Sequence, residues 1–306
     1  MKRILTLALA SALALPALAQ VEKGSPLWLR HQQISPDGSQ IAFCYKGDIY
    51  TVPMAGGQAL RLTSNAAYDG TPIWSPDSRS LAFSSDREGS KDVYIVKADG
   101  SGLRRLTYSS EKEVPVAFLD GSTLLFQSYV MPDVKDGMYP WDWFVQTYSL
   151  DLSKNIARPK LYGAYPMLMP SLRGGEILYT DVKGYEDIWR KHAVSPVTRD
   201  IWLRSKDGKH TKLTTFGGED RNAVWDSKGG FYYLSEREGS FNVYHRDAAT
   251  TSAADKKITS FTKNPVRFLS IASNGTLCYG FDGEIYTQTP GGQPTKVNVS
   301  IVRDQE

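Results

Sequence analysis

Cysteine is scarce: Cys44 and Cys278 are the only two among 306 residues. Two are too few for a disulfide framework and too few for a zinc or iron–sulfur site. Both sit in strand-like segments, where they form either one long-range bridge or two buried free thiols; spacing does not choose between these. Histidine is nearly as rare, and none of His31, His192, His210 and His245 stands in an HExxH or paired-ligand spacing. No GxSxG elbow offers a serine nucleophile, and no glycine-rich loop opens a helix onto phosphate. The acidic loop SDREGSKD, Ser85 to Asp92, lacks the spacing of an EF-hand and is explained as well by solvated turns. No catalytic residue, metal or cofactor is therefore assigned.

Charge of one sign is also missing. The formal net charge is +3, or +1 once Lys2 and Arg3 are set aside, and no five like charges run together. Such a surface carries no electrostatic footprint for nucleic acid or anionic lipid. Long apolar runs are confined to Ile4 to Leu15, which follows Lys2 and Arg3 and precedes Pro16 and the small-residue pattern Ala17-Leu18-Ala19. This reads as a secretory signal over 1–19, cleaved before Gln20. A run of about a dozen residues is short for a membrane span. A soluble periplasmic or secreted chain of about 285 residues is the expectation, a length that an all-β propeller reaches as one domain.

What the chain does contain is a repeat. SPDGSQIAF at Ser35 to Phe43 returns as SPDSRSLAF at Ser75 to Phe83, with weaker copies beginning at Leu119, Leu172, Asp226 and Ser273. Pro sets φ for a turn, Asp bonds its own backbone two residues on, and Gly38 tolerates positive φ, so a strand follows at once. A second landmark is a polar residue, a β-branched residue and an aromatic: Asp48-Ile49-Tyr50, Asp92-Val93-Tyr94, Asp200-Ile201-Trp202, Asn242-Val243-Tyr244 and Glu284-Ile285-Tyr286. In the third unit Trp143-Phe144-Val145 is expected to begin the equivalent strand. A third landmark is a basic residue, an aliphatic and Thr, ending at Thr63, Thr107, Thr214 and Thr259. Glycine-rich hairpin signals lie between the second and third.

Each unit thus reads as four antiparallel strands, repeated six times at roughly 45 residues, with no helix-period segment after the signal. This predicts an all-β, six-bladed β-propeller over 20–299. The blades are expected near 28–63, 70–107, 114–162, 166–214, 223–259 and 266–299. A sandwich would not need six copies of one ordered set of landmarks, whereas a blade cannot bury its faces alone. Ring closure stays open: Pro26 to Leu29 offers an extra strand to the last blade, yet Thr295 to Val299 already supplies that blade's outer strand.

Two insertions break the repeat, Tyr129 to Trp143 in blade three and Lys183 to Arg199 in blade four, each between the second and third strands. Loops of that class emerge on one face of the disc, and loops on a rigid scaffold commonly carry binding. The candidate contacts for docking or peptide binding are Tyr139, Trp141 and Trp143 with Trp189, Arg190, Lys191, His192 and Arg199. The same residues could instead cover blade edges. The innermost strands, around Trp74, Phe118, Met169, Trp225 and Leu269, line the central channel or pack between blades. A propeller lyase or glycosidase would need clustered carboxylates or histidines there.

SPDG-type blades occur in several exported propellers, including TolB and those of prolyl oligopeptidases. The strings PLWLRHQQISPDGSQIAF, KGDIYTVPMAGGQALRLT, VSPVTRDIWLRSKDGKHTKLTTFGGEDRNAVW and YYLSEREGSFNVY resemble the N-terminal six-bladed propeller of tricorn-type serine peptidases across essentially the whole mature chain. The resemblance implies a non-catalytic module that guides or binds peptides or unfolded protein, and that contacts downstream PDZ and peptidase domains or joins a homo-oligomer. In that family the catalytic residues belong to a later region, so none is carried over to this chain. Residues 300–306 are then expected to begin a linker to that region. The alternative is a stand-alone, TolB-like periplasmic protein-binding propeller.

Overall fold

The computed structural model describes residues 20–21, 26–129, 145–163, 165–184, 189 and 195–303. Its framework is six four-stranded antiparallel sheets arranged around a ring. The innermost strands are Arg30–Ile34, Asp69–Trp74, Val114–Phe118, Leu168–Arg173, Asp220–Trp225 and Arg267–Ile271. The outermost are Leu60–Arg61, Arg104–Arg105, Lys160–Gly163, His210–Lys212, Lys256–Lys257 and Thr295–Lys296. Each innermost strand contacts the next, and the sixth contacts the first. The described chain contains no helix long and apolar enough to cross a membrane.

The three recurring landmarks have separable physical jobs. In the turn, Ser35 Oγ donates to Asp37 Oδ1 at 2.6 Å, and the same carboxylate accepts the Ser39 N–H at 2.9 Å. Ser75, Asp77 and Arg79 repeat this at 2.6 and 3.1 Å. Gly38 sits at φ 75°, and Ser78 takes its place in blade two at φ 60°, so the turn demands a left-handed residue even where glycine is absent.

The second and third landmarks lock to each other across the outer pair of strands. The Thr63, Thr107, Thr214 and Thr259 hydroxyls accept the N–H groups of Ile49, Val93, Ile201 and Val243 at 2.9–3.0 Å. The basic residue then pairs with the acid that opens the third strand: Arg61 with Asp48 at 2.7 Å, Arg105 with Asp92 at 2.8 Å, Lys212 with Asp200 at 2.7 Å. Edge strands only two or three residues long are held by this side-chain lock as much as by ladder bonds. In blade three, which lacks the second landmark, the third strand is Gln146–Asp151; residues 143 and 144 of the expected start lie outside the described residues.

Blades are joined by apolar layers. One cluster packs Cys44, Ile49 and Leu62 of blade one on Trp74, Leu81 and Phe83 of blade two, and another packs Ile34, Ile41 and Phe43 on Cys278, Ile285 and Val297 of blade six. The two cysteines thus lie in different layers, both as free thiols that burial pushes up to about 12. Closure adds a strand pairing that the repeat does not announce. After blade six the chain lays Val299–Ser300 parallel to Gly57–Gln58 of blade one, and the Gly57 and Ala59 N–H groups donate to Asn298 and Ser300 at 2.8 Å. Residues Pro26 to Leu29 contribute only one bond to blade six, Leu29 N–H to Gly283 O at 2.9 Å.

Candidate functional site

Starts of the innermost strands, blade-to-blade connections and loops between second and third strands all lie on one face. Among the described residues every strongly exposed Trp, Tyr or Phe is there: Trp28 (71% exposed), Tyr108 (59%), Trp189 (42%) and Tyr68 (41%). Residues elsewhere on the disc expose aliphatics singly, which is ordinary for a soluble surface.

At the channel mouth on this face the innermost strands share a distortion. His31, Thr71, Met169, Asn222 and Phe268 adopt φ between 48° and 57°, and the ladder slips by a residue at each. Each stands four residues before the turn that ends its strand. Bulges of this kind re-aim a side chain and often border functional sites. The five residues are chemically unlike, so no motif marks them; only their fixed offset does. Asn222 uses the position structurally, exchanging two bonds with the Leu269 backbone of blade six at 3.0 and 2.8 Å. His31 packs its ring tilted against Phe268 with centroids 4.7 Å apart, and burial, with Arg30 and Lys91 adding, lowers its imidazole to about 4. It is therefore neutral at physiological pH and behaves as an aromatic surface rather than a base.

Trp189, from the blade-four insertion, reaches this pair. Its indole lies edge-on to Phe268 at 5.9 Å, between the guanidinium of Arg30 at 5.0 Å and that of Arg267 at 5.1 Å. Arg267 also donates to the Trp189 carbonyl at 2.6 Å. An insertion from blade four thus touches blades six and one. Two arginines flanking an indole over an apolar floor suit planar side chains, backbone carbonyls and carboxylates.

Of the other residues singled out in the sequence, Arg199 is buried at the base of the insertion. It donates to Glu219 at 3.2 Å, and Glu219 also accepts from Arg221 at 3.2 Å. Tyr139, Trp141, Trp143, Arg190, Lys191 and His192 lie outside the described residues. Trp74 and Trp225 are buried between blades, their indole N–H groups donating to Gln33 O at 2.9 Å and Ser171 O at 3.0 Å of the preceding blades. Leu269 is buried and Phe118 packs between blades two and three, whereas Met169 is exposed.

A family model described as the tricorn protease N-terminal beta propeller domain matches residues 26–293. Tricorn protease homolog 1 of Streptomyces coelicolor is 23% identical over 287 residues, which cover 92% of this chain and 25% of that protein. The chain therefore spans about a quarter of that relative's length. Among solved structures, the tricorn protease superposes with a TM-score of 0.75 at 19% identity, covering 92% of this chain and 27% of the other. TolB from Acinetobacter baumannii superposes with a TM-score of 0.61 at 15% identity, covering 89% and 65%. At these identities both superpositions speak to fold alone.

Proposed function

The chain belongs to the tricorn protease N-terminal beta propeller domain family, and from this we propose that it serves as the non-catalytic propeller of an exported, tricorn-like serine peptidase. In this reading its insertion-bearing face binds peptides or unfolded protein and contacts downstream PDZ and peptidase domains or other subunits. The signal-like segment over 1–19 supports a periplasmic or secreted location. The observation that carries the binding role is the gathering of exposed aromatics on one face, with Trp189 held between Arg30 and Arg267 at the channel mouth. Aromatics and arginine are the residue types enriched where one polypeptide docks on another. A match that covers a quarter of a longer relative favours a module over a stand-alone TolB-like protein.

The reading is tested by fluorescence anisotropy of a labelled, arginine-free unfolded peptide titrated with the chain. Trp189→Ala is expected to weaken binding about tenfold or more while the melting temperature changes little, since Trp189 is half exposed. Unchanged affinity in that variant removes the channel mouth from the binding surface. No hydrolysis of the peptide is expected, and turnover that survives removal of contaminating proteases would contradict a non-catalytic role.

A further inference from the structure

Five of the six joints between blades are sealed by the same pair of aliphatics, and one is not. In the third strand the residue before the paired aromatic is Ile49, Val93, Ile201, Val243 or Ile285, all fully buried. Its carbonyl accepts the N–H of Leu62, Leu106, Leu213, Ile258 or Val297 in the fourth strand at 2.8–2.9 Å. Both side chains face the next blade, and the apolar cluster they join draws buried residues from the two blades alike.

Blade three presents polar or absent side chains at the same register positions. Thr147 stands before Tyr148, and its partner in the fourth strand is Gly163. Opposite Thr147 in the second strand is Gln127, where the other blades have Cys44, Ser84, Thr180, Leu234 and Gly280. Thr147 is fully buried and its Oγ1 has no hydrogen-bond partner among the described residues, while Gln127 donates through Nε2 to the Met167 carbonyl. A Cβ on Gly163 would lie 3.1 Å from Met167 Cε, so a flexible thioether fills the place of the aliphatic. The threonine lock is lost too, since Ala164 follows Gly163 where Thr63 follows Leu62. The cluster at this joint takes its buried members, Met167, Ile177 and Tyr179, from blade four and its approach; among the described residues blade three adds only the partly buried Tyr162. A layer with an unpartnered hydroxyl and few apolar pairs coheres less than its five sisters.

The joint between blades six and one stands diametrically opposite, and it is reinforced. There Val299 and Ile301 enter the apolar layer beside Ile34, Phe43 and Ile285, and Val299–Ser300 pairs with Gly57–Gln58. No other joint among the described residues carries an added strand pair. We propose that the ring is hinged: blades one to three and blades four to six swing about the six–one joint and part between blades three and four, giving the channel a side entrance. Each half is bound internally through intact aliphatic layers, so each moves as a body. Parting bares Leu125, fully buried when the joint is shut, and opens the channel to the rim between Val114–Phe118 and Leu168–Arg173.

Thiol labelling in native buffer, mapped by mass spectrometry, reads the opening and does not depend on peptide binding. Leu125 and Leu178 are both fully buried at one register position, just before the second-strand aromatic, and face the three–four and four–five joints. Leu125→Cys should label at least about tenfold faster than Leu178→Cys, while Cys44 and Cys278, which report the one–two and six–one joints, stay slow in both variants. Thr147→Val, which matches Val93 and Val243, should slow the labelling of Leu125→Cys by about threefold or more. Where a leucine variant fails to fold, Thr147→Cys against Ile201→Cys makes the same comparison. Equal rates at the paired reporters overturn the hinge, as do native cysteines that label as fast as Leu125→Cys, or a Thr147→Val change without effect.

Discussion

Removing the Arg87 guanidinium from its buried partner Asp69 should cost more than any surface substitution in this chain. Asp69 is fully buried and Arg87 supplies both bonds to its carboxylate at 3.0 Å, so Arg87→Met leaves an ionised group in the interior with no cation. Breaking a buried pair in this way costs about 3–5 kcal/mol, whereas replacing both partners with neutral groups is often close to neutral. For a chain of this size that corresponds to a fall in melting temperature of roughly 5–15 °C. The double variant Asp69→Asn/Arg87→Met should recover most of the loss, because the orphaned charge is gone and the methionine still covers Tyr94. Urea unfolding followed by tryptophan fluorescence compares the three proteins directly. A single variant within about 1 kcal/mol of wild type, or a double variant no better than the single, refutes the reasoning.

Glu113, a buried acid without a salt bridge among the described residues, predicts a dependence on pH. Glu113 holds its proton to about 7 in the fold, against an ordinary glutamate value near 4.5, so the folded state binds the proton more tightly. Stability should be greatest at the acid end of this window and fall as pH rises from about 4.5 to 7, by about 2 kcal/mol after solvent screening is allowed for. Asp220, which burial raises to about 6, titrates in the same window, so the Glu113 share is the difference between wild type and Glu113→Gln measured at pH 5, 6, 7 and 8. The thiols of Cys44 and Cys278, neutral and buried, should resist a thiol-reactive reagent in native buffer and both react in denaturant. Rapid labelling of either one in native buffer would contradict their placement between blades.

Much of the fold was legible because its devices are local. The turn, the Asp–Arg pair and the threonine hydroxyl each connect residues within a single repeat, so their spacing survives as a pattern. Closure was not, since Val299–Ser300 meets Gly57–Gln58 from the far end of the chain and no period announces it. The candidate face was half legible: insertion marked Trp189, but its seat between Arg30 and Arg267 depends on blades six and one meeting in space. The bulged positions His31, Thr71, Met169, Asn222 and Phe268 were hidden, because a backbone conformation selected them rather than a side-chain chemistry. Glu113 was hidden for a related reason. Only the register shows that it holds in blade three the place that Asp69 and Asp220 hold in blades two and five.

The central claim is that this propeller binds unfolded polypeptide on its insertion-bearing face. Photo-crosslinking an unfolded peptide to the chain, then mapping the attachment points by mass spectrometry, tests it most directly. Attachment should concentrate near Trp28, Tyr68, Tyr108 and Trp189 and around Arg30 and Arg267 at the channel mouth. Attachment confined to the opposite face, where the turns at Ser35 and Ser75 lie, or none above a scrambled-label control, would contradict the account.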